Sequence, residues 1–410
     1  MQQAPRAERY DSLDILRGVA VLGILAINIQ TFAQPFSVFQ NPTLLPDVFS
    51  REGWVWRFVS VFFQFKFITI FSALFGAGII LMVGEEKPSP RFGLHYRRML
   101  WLAIFGLLHA FVLWFGDILF PYAFAGLIVV LARRWKPATL VIVGLVIIAL
   151  NFMMFMGQHF YLEGASPEEA AKFLSKMWTP PPEELAKTVA IYQLPLAERI
   201  VAGAGDAAMF LMIQTLALGP RTIGVMMIGM ALYKSGFFTL GWSSARYLIT
   251  GVIAAAIGVA ATHWGVGQFY VHDFDGLALT PAQGAIFWGS LPQAFGYAAL
   301  IMWLARLSFL KLILAPFAAA GRMALTNYLA CSIICALIFF GPPGAGLIGE
   351  YGFVKQAQVT LAIWAAILVW SPIWLSLFRF GPFEWLWRSL TYGRLQPLLK
   401  GRAAPAGGAL

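Results

Sequence analysis

Stretches of about 20 apolar residues recur along this whole chain, and nothing else in it restricts the fold as strongly. In a bilayer core the backbone must satisfy its own N–H and C=O groups, so a run of that length crosses as an α-helix. Of the 410 residues, 60% are hydrophobic and 12% charged, about half the charged share of a soluble protein. The runs are spread throughout, so the excess is not one anchor on a soluble domain. The first begins near Ile15, lacks a signal-peptide cleavage site and is soon followed by another, and is expected to be retained.

The fold class expected is all-α, a polytopic transmembrane bundle of about ten helices. They are predicted over 15–33, 58–83, 98–115, 118–132, 138–157, 207–233, 247–264, 285–304, 322–340 and 360–380. The fourth is short and follows the third after a Gly116–Asp117 turn. Residues 1–400 form one transmembrane domain, and 401–410, rich in small residues, form a disordered tail. The sixth helix contains Gly219-Pro220. Proline removes a backbone donor and clashes with the preceding turn, so a break is predicted there.

The basic residues orient the bundle. With the N-terminus inside, cytoplasmic segments hold Arg6, Arg9, Lys87, Arg91, Arg97, Arg98, Arg133, Arg134 and Lys136. They also hold Lys234, Arg246, Arg306, Lys311, Arg322 and the C-terminal set from Arg379 to Arg402. Counting Arg17, 20 of the 29 Lys and Arg lie inside. Both ends are then cytoplasmic, and the polar segment 162–205 is extracytoplasmic. Within that segment Ser166-Pro167-Glu168-Glu169 has the pattern of a capping box with proline at the first helical position. Phe173, Leu174, Met177 and Trp178 follow at helical spacing. The segment is either an interfacial helix on the outer leaflet or a short helix packed on other loops.

The net charge of +10 does not point to nucleic acid, because the cations sit at helix ends where topology accounts for them. Cys331 and Cys335 share one helix face but lack the other ligands of a zinc site; they read as packing residues. His263, His272, Asp273 and Asp275 fit no metal-ligand spacing and read as solvated loop, so no metal centre is expected. There is no P-loop, Gly-x-Ser-x-Gly, His-Glu-x-x-His or Cys-x-x-Cys pattern, which leaves an ATP-driven pump or a soluble-type hydrolase unsupported.

Polar residues inside the spans carry the functional signal. Asn28 and His109 lie at similar depth on the first and third helices, where they can meet in the middle-to-outer membrane. Asp117 follows His109 on the same hairpin. Imidazole with a carboxylate partner is a proton-transfer pair. The plainer alternative is that His109 hydrogen-bonds a neighbouring helix and Asp117 caps the next one; spacing alone favours it. Arg17 is either an ion pair with Asp14 or a guanidinium facing an anionic cofactor. Arg221, at mid-membrane on a broken helix, has the pattern of a transporter ligand site. Lys66 is expected to snorkel toward the outer surface.

The run Arg9-Tyr10-Asp11-Ser12-Leu13-Asp14-Ile15-Leu16-Arg17-Gly18, continuing to Asn28, resembles the opening of the YeiB-like bacterial membrane proteins, a family of unknown function. The resemblance continues in Gly106-Leu107-Leu108-His109, in Trp114-Phe115-Gly116-Asp117, in Gly321-Arg322-Met323-Ala324-Leu325-Thr326-Asn327 and in Gly381-Pro382-Phe383-Glu384-Trp385. It spans almost the whole chain. The opening is also similar to that of two groups of membrane acyltransferases, heparan-alpha-glucosaminide N-acetyltransferase and the enzymes that O-acylate bacterial polysaccharides. Both carry Asp-x-x-Arg-Gly on the first helix. The lysosomal enzyme has Asn where this chain has Asn28.

That resemblance implies a transmembrane acyltransferase in the bacterial inner membrane. It would move an acyl group from cytoplasmic acyl-CoA, a co-substrate rather than a tightly bound cofactor, to a small-molecule, glycan or lipid acceptor. His109 would be the base or acyl carrier, Asp117 its orienting group and Asn28 a donor to the carbonyl. Arg17 and Arg221 would hold anionic groups. An oligomer is compatible with all of this. The alternative is a secondary transporter of a small anion, with Arg221 as the anion site and His109–Asp117 as the proton relay.

Overall fold

The computed structural model describes residues 11–46, 48–86, 89, 91–276 and 280–400. Arg6, Arg9, Lys87, Arg402 and the tail 401–410, named above for topology or disorder, lie outside the described residues, as does the Arg9-Tyr10 start of the opening motif. The chain is all-α. In order it forms α1 (Asp11–Ala33), α2 (Phe36–Gln40), α3 (Arg51–Phe62), α4 (Lys66–Val83), α5 (Phe92–Leu108), α6 (Leu119–Val129), α7 (Pro137–Gly164), α8 (Pro167–Met177) and α9 (Pro182–Gln193). There follow α10 (Leu196–Ala217), α11 (Gly219–Lys234), α12 (Ser244–Val271), α13 (Thr280–Ala305), α14 (Lys311–Arg322), α15 (Ala324–Phe339), α16 (Phe353–Leu377) and α17 (Pro382–Tyr392).

Among the described residues 8 helices are long and apolar enough to cross a membrane, or up to 9 if the pair Ser308–Arg322 and Ala324–Phe339, bent by 79°, is one span. The apolar helix Leu119–Ala132 is shorter. The perimeter helices present apolar side chains outward, Ile142 and Leu150 on α7, Met212 and Leu216 on α10, Ile253 and Ile257 on α12. Such faces are what acyl chains cover. The protein is a helical membrane protein.

Local chemistry sets the helix ends. Proline opens α7, α8, α9, α11 and α17, where its missing N–H costs nothing. Ser166 makes the full capping box with Glu169, and its helix α8 turns Trp178 inward, where Nε1 donates to the Phe274 carbonyl at 2.8 Å. Thus α8 is packed on neighbouring loops. The predicted sixth helix is two helices, α10 and α11, divided at Leu218 just before Pro220. The segment 162–205 is largely helical, because α7 runs on to Gly164 and α10 starts at Leu196. Charged residues at a helix end need not stop it, since its backbone bonds are internal in either solvent.

At the centre α1 packs on α14, α4, α15 and α16. The crossing with α14 is nearly backbone to backbone. A Cβ on Gly18 would lie 2.0 Å from the Phe317 carbonyl oxygen, and one on Gly321 would lie 1.8 Å from that of Asp14. The glycines of two motifs, more than 300 residues apart in sequence, are therefore one contact, the small-residue packing by which helices associate without a hydrophobic driving force.

Candidate functional site

The third apolar run does not end as a plain α-helix. After α5 the residues His109–Leu113 form a π-helical turn, closed by the bond from Trp114 N–H to the His109 carbonyl at 2.9 Å. The chain then reverses through 114–118 and enters α6. This reversal brings Asp117 back beside His109, with Nδ1 to Oδ1 3.0 Å and both side chains fully buried. Gly106 makes the approach possible, because a Cβ there would sit 2.7 Å from Asp117 Oδ2 and 2.3 Å from Phe120 N.

Asp117 does two things at once. Its Oδ2 accepts from the Phe120 N–H at 2.7 Å, capping the first turn of α6, while Oδ1 faces the imidazole. The Nδ1–Oδ1 approach is a short contact rather than a well-angled hydrogen bond. On the other side of the ring, His109 Nε2 and Ser332 Oγ of α15 are 2.9 Å apart. Tyr328, one turn earlier on α15, lies against the imidazole with ring centres 5.1 Å apart, and its hydroxyl accepts from the Ile118 N–H at 3.4 Å. His109, Asp117 and Ser332 thus form a buried line of carboxylate, imidazole and hydroxyl.

Two cavities flank this line. One, of about 210 Å³, is lined by Arg17, Arg98, Arg322, His95, Glu384 and Tyr328, among others. The other, of about 430 Å³, lies toward the far end of α1 and is rich in Phe and Trp, with Asn28, Thr31, Gln40, Gln64, Gln214 and Gln283 as polar members. Ile118, next to Asp117 in sequence, lines both. His109, Asp117 and Ser332 line neither cavity themselves; Tyr328, packed on the imidazole, lines the first, and Gly116, beside Asp117 in the chain, lines the second.

The sequence-predicted residues fall into four places. His109 and Asp117 are brought together. Asn28 is on the aromatic cavity wall with Trp114 and Gly116, and among the described residues no hydrogen bond joins it to His109. Arg17 pairs with Asp14 at 2.8 Å and is also among the residues lining the smaller cavity. Arg221 is apart from His109 and is not a lining residue of either cavity, although Phe65 and Phe287, the rings on either side of it, line the larger one. It donates to the Phe287 carbonyl at 3.1 Å, to Thr69 Oγ1 at 3.1 Å and to Ser290 Oγ at 2.8 Å, between the rings of Phe65 and Phe287.

Lys66 does not snorkel. Its side chain is fully buried, turned back into the break between α3 and α4, where Nζ donates to the Ser60 carbonyl at 3.0 Å. That carbonyl is one of the last of α3 and has no helical partner of its own. His263, His272, Asp273 and Asp275 are exposed, and no metal-ligand cluster exists among the described residues.

Sequence reasoning missed Ser332, Tyr328 and Glu384. The Glu384 carboxylate accepts from the N–H groups of Leu325 at 2.7 Å and Thr326 at 3.0 Å, and from the Thr326 hydroxyl. It caps the first turn of α15, joining two motifs that are separate in sequence. Burial pushes its carboxyl pKa up, against the lowering pull of the Thr326 and Leu325 donors.

Comparison with known proteins gives relatives along nearly the whole chain. The family described as "Protein of unknown function (DUF418)" matches residues 232–394. The chain is 33% identical over 412 residues to "Uncharacterized protein YeiB" of Escherichia coli (strain K12), covering 96% of this chain and 98% of that one. It is 31% identical over 416 residues to "Uncharacterized protein YxaH" of Bacillus subtilis (strain 168), with 96% of each covered. A Bacillus acidopullulyticus protein, named for the 3' region of an amylase, is 27% identical over 394 residues, again with 96% of each chain covered. No solved structure matches.

Proposed function

The chain belongs to the YeiB-like DUF418 family of membrane proteins, and from that premise we propose that it transfers an acyl group across the partition between its two cavities. The donor is an acyl-CoA-type thioester at the arginine-lined cavity, and the acceptor is a hydroxyl or amine at the aromatic one. The observation that carries this reading is the position of His109–Asp117 behind Ile118, the residue common to both cavities.

The inside-positive charge pattern supports a cytoplasmic position for the arginine-lined cavity in a bacterial inner membrane, the side on which acyl-CoA is found. Guanidinium groups match phosphate geometry, so Arg17, Arg98 and Arg322 fit the anionic end of the donor. His109 handles the proton that moves from acceptor to leaving thiolate, and Asp117 holds the ring and balances the imidazolium. Asn28 donates to a carbonyl or hydroxyl on the acceptor side. The transporter reading needed Arg221 as its anion site, and the protein acceptors already on Arg221 favour the transferase.

The test is release of free CoA by the purified protein in lipid nanodiscs, given acetyl-, octanoyl- or palmitoyl-CoA and a bacterial envelope extract as acceptor source. Wild type is expected to release CoA and label an extract component, and His109→Ala to do neither. Proteoliposomes that show solute counterflow, with no covalent product from any of the donors, would reject it.

A further inference from the structure

Both nitrogens of the His109 ring are already engaged. Nδ1 faces Asp117 at 3.0 Å and Nε2 faces Ser332 at 2.9 Å. Asp117, His109 and Ser332 are 0%, 1% and 2% exposed, so water does not compete for any of the three. In the neutral ring that carries its proton on Nδ1, the nitrogen nearer the carboxylate, the Nε2 lone pair faces the Ser332 hydroxyl. That hydroxyl has one other acceptor, the Tyr328 carbonyl one turn back, at 3.3 Å. The shorter contact is the one to the ring. A base arranged in this way first takes the proton of Ser332, not that of an incoming acceptor.

We propose that Ser332 is the nucleophile and that the acyl group passes through a Ser332 ester. This deepens the transferase reading and rests on it. The order carboxylate, imidazole, hydroxyl is the arrangement by which an unactivated serine becomes reactive, here assembled from α5, the α6 entry and α15. In the first half-reaction Ser332 Oγ attacks the thioester carbonyl carbon. The O–C bond forms, the C–S bond breaks, and the Ser332 proton passes through His109 Nε2 to the departing thiolate, which leaves as CoA thiol. In the second, an acceptor hydroxyl or amine attacks the ester carbonyl, the Oγ–C bond breaks, and the acceptor proton returns through Nε2 to Oγ. No oxidant or metal is consumed, and the enzyme ends as it began. Tyr328 is the door. It lines the arginine-side cavity and its ring covers the imidazole, so its side chain moves aside for the thioester to reach Ser332.

The experiment uses full-length protein in nanodiscs, mixed with acetyl-, octanoyl- or palmitoyl-CoA and no acceptor. The expected result is a burst of CoA equal to the protein present, and a gain of one acyl mass in the peptide containing Ser332. That adduct should resist neutral hydroxylamine and yield to alkaline hydroxylamine, as an oxygen ester does. Ser332→Ala should lose the burst and the adduct, with turnover down by about 100-fold or more. Ser332→Cys, which keeps a nucleophile of similar size, should give an adduct cleaved at neutral pH. Monodisperse elution and an unchanged melting temperature show that the variants fold.

Turnover by wild type with an adduct on His109, or with no adduct and no loss in Ser332→Ala, would overturn the serine ester while leaving the transferase in place. Absence of CoA release with every donor, even when envelope extract is added, would remove both.

Discussion

Arg221 and His109 are both buried in this bundle, but their surroundings follow opposite plans. Arg221 meets only neutral acceptors, two hydroxyls and a carbonyl, and two aromatic faces. None of these partners can give or take a proton near neutral pH. The cation is locked, and its work is to tie α11 to α4 and α13. His109 meets a carboxylate and a hydroxyl, and sits beside a partition between cavities. Two members of that line, the carboxylate and the imidazole, are ionisable groups. A buried polar group therefore does not announce function by burial or by cost. What separates the two centres is that His109 faces a carboxylate, whereas Arg221 is held by hydroxyls and a carbonyl.

The comparison can be broken from either end. The largest effect belongs to His109→Ala, which should lower CoA release by about 10²–10⁴-fold while leaving the melting temperature close to wild type. A large fall in melting temperature would make His109 a structural residue like Arg221. Next comes Arg221→Met. Hydrogen bonds to a charged group contribute about 1.5–3 kcal/mol each, so stability should fall by about 3 kcal/mol or more, read as a lower midpoint in a denaturation series. The rate per folded molecule should hold. The reverse pattern, a normal midpoint with activity gone, would make Arg221 a ligand site and revive the transporter.

A smaller effect is expected at Glu384. Because burial raises its pKa in the folded state, its stabilising contribution is complete below the unfolded carboxylate range and is lost as pH rises through the raised value. Melting temperature measured against pH should decline over that window in wild type and be flatter in Glu384→Gln. The smallest effect is at Asn28→Ala, where loss of one neutral hydrogen bond to the acceptor, about 1 kcal/mol, should raise KM for the acceptor several-fold with no change in melting. A fall in stability instead would move Asn28 from the cavity wall to the helix packing.

Much of this molecule can be read along the chain, wherever the cause is local. Apolar runs mark the helices, Pro220 marks the division between α10 and α11, and Ser166 with Glu169 marks the start of α8. His109 and Asp117 are eight residues apart, and one hairpin suffices to join them. Ser332 is different. It lies 223 residues from His109, inside an apolar run between ordinary neighbours, and nothing local distinguishes it from a serine bonded back to its own helix. The partners of Arg221 are hidden for the same reason, because they are a carbonyl and two hydroxyls of distant helices and carry no charge pattern. Lys66 misleads because the turn at Gln64–Phe65, with Phe65 at a positive φ of 66°, directs it inward.

The π-helical turn at His109–Leu113 places a constraint of another kind on this family. A π turn holds one residue more than an α turn. Removing any single residue from 109–113 would let α5 continue as ordinary helix, and everything beyond would rotate by about 100° and shift by about 1.5 Å. Asp117 would then swing away from the imidazole without any functional side chain having been altered. In this chain, then, the meeting of histidine and aspartate depends on how many residues lie between them as well as on which ones they are.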